Sequence, residues 1–174
     1  GYLSLVGRSV LDPKDGIPQA EAAARKALAL DESLADAHYA LASLKLNGWD
    51  WEAAEREYKR AIELNPNLAK AHAGYSQYLS VMGRHEQAIA EIKRTRELDP
   101  ISPLGKTAVG ERLRNARQYD QAIEALKKVL ERDQNFPSMH LILGRVYAAK
   151  GQYAEAIAAY QEAIRLGGDT SSTE

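Results

Sequence analysis

Alanine stands at Ala20, Ala54, Ala88, Ala122 and Ala156, five times at a spacing of 34 residues. That period restricts the fold more than any other feature of the chain. A helix–turn–helix unit of this length cannot bury its apolar face alone, so its copies must stack into a solenoid. Other positions keep the same phase. Leu30, Leu64, Leu98 and Leu166 recur, with Arg132 as the departure. Leu34, Leu68 and Phe136 recur with Ser102 in the gap, and His38, His72 and His140 recur with Lys106 in the fourth place. Chance does not hold several registers in phase at once.

Apolar residues fall at helical spacing almost throughout, broken by short turn signals. Each period reads as a first helix, a tight turn, a second helix and a closing turn. The closing turns are Asp31-Glu32, Asn65-Pro66, Asp99-Pro100, Asp133-Gln134 and Gly167-Gly168. Proline suits such a place because it cannot continue the preceding helix. No β-strand pattern and no linker rich in Pro, Gly or Ser divides the chain. The expectation is therefore an all-α solenoid over residues 1–168, with repeats near 1–34, 35–68, 69–102, 103–136 and 137–168 and a frayed polar tail at 169–174. The chain begins at Gly1 in what reads as a helix, with neither initiator Met nor signal peptide, and is expected to be a piece of a longer protein.

The residues that keep the period resemble the tetratricopeptide repeat family. Its pattern places an aromatic, a Leu-Gly pair and a Tyr on the first helix, alanines and an aromatic on the second, and Pro at the close. The fifth unit matches best, with Leu143-Gly144, Tyr147, Gly151, Tyr153, Ala156, Tyr160 and Ala163. The second supplies Leu41-Ala42, Trp51, Ala54, Tyr58, Ala61 and Pro66. The third has Tyr75-Ser76, Gly83, Ala88, Ile92 and Pro100, and the fourth Val109-Gly110, Tyr119, Ala122 and Leu126. The first is partial, with Gly7, Ala20 and Ala27 and an inter-helix turn over Leu11 to Gly16. The resemblance implies a right-handed superhelical solenoid of about five repeats. In that arrangement Gly110 and Gly144 lie where the two helices of a unit come closest. The second-helix alanines let the next unit's first helix approach to about 8–10 Å, with Tyr58, Ile92, Leu126 and Tyr160 filling the space between units.

Bulk chemistry excludes more than it suggests. A net charge of -1 gives no electrostatic reason for a nucleic-acid or anionic-membrane partner. Cysteine is absent, which removes disulfides, thiolate catalysis and cysteine-ligated metals together. No apolar run approaches the roughly 18–20 residues of a bilayer span. The in-phase histidines are too far apart for one metal: neighbouring repeats are about 8–10 Å apart, while zinc ligands must all come within about 2.1 Å of one ion. His85-Glu86 begins like a zinc-protease helix, but Ile89 occupies the place of the second histidine. Gly105-Lys106-Thr107 ends like a phosphate-binding loop, but Pro100 falls where the first glycine is required. No cofactor and no enzymatic activity are expected.

What is left is the surface. Counting outward from the core positions, the first helices present Asp36, Tyr39, Ser43 and Asn47, then Lys70, Ala73, Gln77 and Ser80. The fourth unit presents Thr107, Glu111, Arg114 and Asn115, and the fifth Ser138, Leu141 and Arg145. This polar, mixed set suits a peptide or protein segment. Arg114 and Arg145 are placed to converge on a carboxylate, or each to pair with Glu111. Relatives that grip chaperone tails use Lys and Asn where this chain has Tyr39, Ser43, Ala73 and Gln77, so that clamp is missing. Arg112, Arg114 and Arg117 read as a solvated surface. Ile157, Tyr160 and Ile164 are expected on an uncapped end face, giving end-to-end self-association as the rival reading. The stretch from Trp49 to Pro66 is similar in style to tails of multidomain bacterial signalling proteins, which would make the segment a cytoplasmic docking part.

Overall fold

The computed structural model describes residues 13–168. Among them are nine helices and no strand: α1 (Pro13–Leu30), α2 (Ala35–Asn47), α3 (Trp51–Leu64), α4 (Ala69–Val81), α5 (His85–Leu98), α6 (Pro103–Asn115), α7 (Tyr119–Leu130), α8 (Pro137–Lys150) and α9 (Tyr153–Gly168). The first helices α2, α4, α6 and α8 begin 34 residues apart, and so do the second helices α3, α5, α7 and α9. The all-α repeat expected from the period is borne out. Two details differ. The turn expected over Leu11–Gly16 is helical from Pro13 onward, and proline is a favourable first helical residue. Gly167-Gly168, expected as a closing turn, continues α9; in earlier repeats that turn delivers the chain to the next helix, and no described helix follows.

The helices group into two compact units, one ending at Tyr78 and one starting at Leu79, with the boundary inside α4. In the first, α1 packs on α2 and α2 on α3. Ala20 and Ala24 of α1 meet Leu41 and Leu44 of α2. Tyr58 of α3 lies against Gly74 of α4, where an added Cβ would come within 2.6 Å of its ring. In the second unit α6 packs on α5, α7 and α8, α7 on α8, and α8 on α9.

Small residues set the spacing. Ala42, Ser76, Gly110 and Gly144 share one register, and all are buried. A Cβ on Gly110 would stand 2.7 Å from Leu126 of the same repeat, and one on Gly144 2.5 Å from Tyr160. Leu126 and Tyr160 thus pack within their own repeat, which corrects the expectation that they fill only the gap between units. The alanines need a similar correction. Ala156 is buried although no described helix follows it, so its register seals a repeat's own helix pair. Seven positions on, Ala61 and Thr95 are buried, while Ala27, Val129 and Ala163 are half-buried.

The inter-helix turns are built alike. The N–H of Asp50, Arg84, Gln118 and Gln152 donates to the carbonyl five residues back, at 3.0, 2.8, 2.9 and 2.9 Å. This is the Schellman pattern, whose preceding residue is left-handed. That residue is Gly83 (φ 73) and Gly151 (φ 85), but Trp49 (φ 63) and Arg117 (φ 60) in the other two. A side chain in this region is disfavoured by contact of its Cβ with the backbone. Arg117 is exposed. Arg117→Gly is therefore expected to stabilise the protein by about 1 kcal/mol, read as a higher denaturation midpoint with an unchanged slope; an unchanged or lower midpoint refutes the argument.

Candidate functional site

The closing turns fix how each first helix starts. Asp31 accepts from the Ser33 N–H (2.8 Å), Asn65 from Asn67 (3.0 Å) and Asp99 from Ser102 (3.0 Å), all to a side-chain oxygen. The in-phase histidines add a second tie. Nε2–H of His38, His72 and His140 donates to the carbonyl six residues earlier, on Glu32, Pro66 and Gln134, at 3.1, 3.0 and 3.0 Å. Each therefore staples its own turn, and no group of three His, Cys, Asp or Glu able to hold a metal is found among the described residues. Nδ1 of His38 additionally lies 2.7 Å from Glu57 Oε2.

With the turns fixed, the first-helix faces carry defined polar groups. In the first unit Lys70 pairs with Asp36 across one repeat, and its Nζ lies 5.3 Å from the Tyr39 ring centroid. Ser43 Oγ donates to the Tyr39 carbonyl at 3.0 Å and lies 3.4 Å from the Tyr58 hydroxyl. Asn47 and Gln77 are exposed, while Ala73 is buried. Beneath this face runs a tyrosine row that the sequence reading missed. Tyr39, Tyr58, Tyr75 and Tyr78 follow one another with ring centroids 6.4, 6.1 and 5.9 Å apart. Tyr75 and Tyr78 both donate to Glu55, at 3.1 and 3.0 Å, and Lys59 closes on the same carboxylate at 2.9 Å. The signal for this row was an aromatic at three helical turns facing one acid, which only packing brings together.

In the second unit the two arginines do converge on a carboxylate, and it is the chain's own. Glu111 Oε2 accepts from Arg114 (2.9 Å) and its Oε1 from Arg145 of the next repeat (3.1 Å). Glu111 is mostly buried, Arg114 half-buried and Arg145 exposed. Asn115 donates to Ser80 Oγ at 3.0 Å, and Ser80 is itself buried. Thr107 is half-buried, and Ser138 and Leu141 are exposed. Arg112 is not simply solvated: burial lowers its pKa, opposed by the neighbouring Glu111 charge. Of the end-face residues, Ile157 and Ile164 are 57% and 73% exposed, whereas Tyr160 turns onto Gly144.

Tyr58 is a strongly shifted acid. Burial pushes its phenol up to about 12, against the Ser43 hydroxyl, which favours the phenolate. In the unfolded chain a tyrosine ionises near 10. Between those values the folded state holds a proton the unfolded state has lost, so stability falls as pH rises, at up to about 1.4 kcal/mol per pH unit. Tyr58→Phe should remove that part of the alkaline loss and delete one phenol that titrates at about 12 from a tyrosinate absorbance titration. Equal alkaline slopes in denaturant melts of the two proteins would sink the assignment.

Comparison with known proteins agrees with this geometry. Residues 39–103 and 108–169 match a family model described as tetratricopeptide repeat. No curated protein matches the chain in sequence. Among solved structures, pilF of Pseudomonas aeruginosa is 25% identical with a TM-score of 0.76, over 94% of this chain and 72% of that one. PilW, a type IV pilus biogenesis factor, superposes with a TM-score of 0.80 at 19% identity, over 96% and 74%. YrrB, described as a TPR protein with an unusual peptide-binding site, gives 0.67 at 21% identity, over 97% and 86%.

Proposed function

Since the chain belongs to the tetratricopeptide repeat family, we propose that it holds a peptide or protein segment against the first-helix faces of its repeats. The fold supports a protein–protein interaction module, and nothing among the described residues points to catalysis. One observation carries the finer reading: Glu111 sits between Arg114 and Arg145, and the Arg145 side chain is 52% exposed. A carboxylate already neutralised by two guanidinium groups needs no third partner, which leaves the other Arg145 N–H donors for a ligand carbonyl or carboxylate. In the first unit Tyr39, Ser43, Asn47, Lys70 and Gln77 offer the matching mix of donors, acceptors and aromatic surface. Ser80 and Asn115 hold each other and act by positioning that face. Receptor groups fixed in advance lose little entropy on binding. YrrB, a protein of this fold, is described as binding peptide, which supports the same use here. In style the stretch Trp49 to Pro66 fits the docking part of a bacterial cytoplasmic regulator.

Peptides selected from a random library on the full chain provide the test. Arg145→Glu or Lys70→Glu is expected to weaken the selected peptides by about tenfold or more, measured by fluorescence polarisation, with helix content unchanged. Peptides that bind both variants as tightly as the parent would exclude the first-helix faces.

A second reading rests on the end of α9, where Ile157 and Ile164 are exposed and no described helix covers them. Each such side chain forgoes roughly 1.5–3 kcal/mol of burial, which favours association of this end with a second copy. Light scattering should show concentration-dependent association of the parent chain that Ile157→Glu/Ile164→Glu abolishes. Tyr160 is left in place because it packs on Gly144. A parent chain that stays monomeric, or a double variant that associates equally, rules out the end face.

A further inference from the structure

Three positions at which the third and fourth repeats break the repeat register, Arg96, Lys106 and Arg132, line one cavity. It has a volume of about 720 Å³ and lies between second helices α5 and α7, over α6. Its charged lining is Lys93, Arg96, Lys106, Lys128 and Arg132 against Glu124 and Asp133, five cations to two acids. None of these seven forms an ion pair with another described residue.

The same cavity exists two repeats earlier, which supplies an internal control. Arg25, Leu28, Glu32, His38, Leu41, Glu57 and Arg60 line a cavity of about 450 Å³ between α1 and α3. Adding two periods, 68 residues, turns these into Lys93, Arg96, Pro100, Lys106, Val109, Ala125 and Lys128, all of which line the larger cavity; the eighth lining residue, Ala29, becomes Glu97, which does not. In the first unit the charges balance: Arg25 and Arg60 stand with Glu32 and Glu57, and His38 bridges the turn to Glu57. In the second unit Leu28 has become Arg96, His38 has become Lys106, and both acids are gone, to Pro100 and Ala125. Arg132 replaces a leucine found in the other four repeats. Three of these changes, at Arg96, Lys106 and Arg132, place a cation where the earlier unit has Leu28, His38 and Leu64, while other lining positions change the opposite way, with Glu124 standing for Arg56, Leu113 for Lys45 and Asp133 for Asn65.

We propose that this cavity binds a small ligand carrying two or more phosphoryl groups on an apolar or aromatic body, of the size of a nucleoside di- or triphosphate. Guanidinium forks suit phosphoryl oxygens, and the ammonium groups add point charge. Val109, Leu113, Ala125 and Val129 supply the apolar part of the lining, and the volume falls in the range of small-molecule sites. A helix turns about 100° per residue, which puts Lys106, Val109 and Leu113 on the opposite side of α6 from Glu111 and Asn115. The site is thus separate from the proposed peptide face.

Calorimetric titration of the full chain with inorganic pyrophosphate and with adenosine triphosphate, both metal-free, tests the proposal. Saturable one-to-one binding that weakens in high salt is expected. Pyrophosphate binding as tightly as the nucleotide would mean that the phosphoryl groups alone are recognised; weaker binding would mean that the apolar lining reads the base. Arg96→Leu/Lys106→His/Arg132→Leu installs the residues of the sister repeats, and should fold normally while losing affinity by about tenfold or more. Lys93→Gln/Lys128→Gln, at two exposed positions, should lose about threefold without touching the packing. Absence of saturable binding by either probe, or retention of parental affinity in both variants, overturns the proposal. So does a hexaglutamate peptide that binds more tightly than pyrophosphate, which would assign the cavity to acidic polypeptide. Selected peptides that still bind the triple variant leave the first-helix reading untouched, so the two sites fail independently.

Discussion

Close approach of the two helices in each repeat is the constraint from which the remaining structure follows. It is set where a small residue on the first helix, Gly110 or Gly144, meets a large one on the second, Leu126 or Tyr160, with no room for a Cβ. The second-helix alanines complete the same seam, which is why Ala156 is buried even in the last repeat. Helices held this tightly leave only their outer faces for polar chemistry. One side of each first helix therefore collects side chains such as Glu111 and Arg145, and the other closes over the second helices.

That seam works only if the chain enters and leaves each helix at a fixed angle. The Schellman bonds set one end of the pair and the histidine staples the other. The Schellman bond survives without glycine at two turns, where Trp49 and Arg117 take the left-handed position, and the histidine staple is replaced in the fourth repeat, where Lys106 stands in its register.

Much of this was legible from the period. Helix boundaries, closing turns and the burial of Ala54, Ala88 and Ala122 follow from phase alone, because identical bricks must present identical faces. The direction of each alanine was not legible, since phase says that a residue is buried and not against which neighbour. Ala156 settles it for its own register only because no described helix comes after it. The Glu111 pairing was half visible: Arg114 is three residues away on one helix, but Arg145 arrives only through stacking of α6 on α8. Ser80 was placed on the open face by counting turns, yet it sits near the end of α4, where Asn115 covers it. The tyrosine row was invisible because its members alternate between helices. Arg96 was the avoidable miss, as Leu28, Ile62, Leu130 and Ile164 hold its register elsewhere.

A repeat protein can change what it binds without changing how it folds, and α6 illustrates the physical reason. Gly110 and the buried Leu113 hold this helix in the stack, so their chemistry is not free to vary. Lys106 and Glu111 flank that seam on opposite sides; Lys106 closes no helix contact, and Glu111 reaches α8 only by a polar bond to Arg145 that other polar pairs could replace. On one side the chain supplies its own counter-charges and leaves a neutralised, ordered surface, as Glu111 between two arginines requires. On the other, five cations face two acids, Glu124 and Asp133, and none of them is paired with another described residue. An unbalanced set of five cations held together by rigid helices raises their mutual repulsion. A bound polyanion relieves that repulsion, whereas at the balanced cavity around His38 it would have to displace Glu57 first.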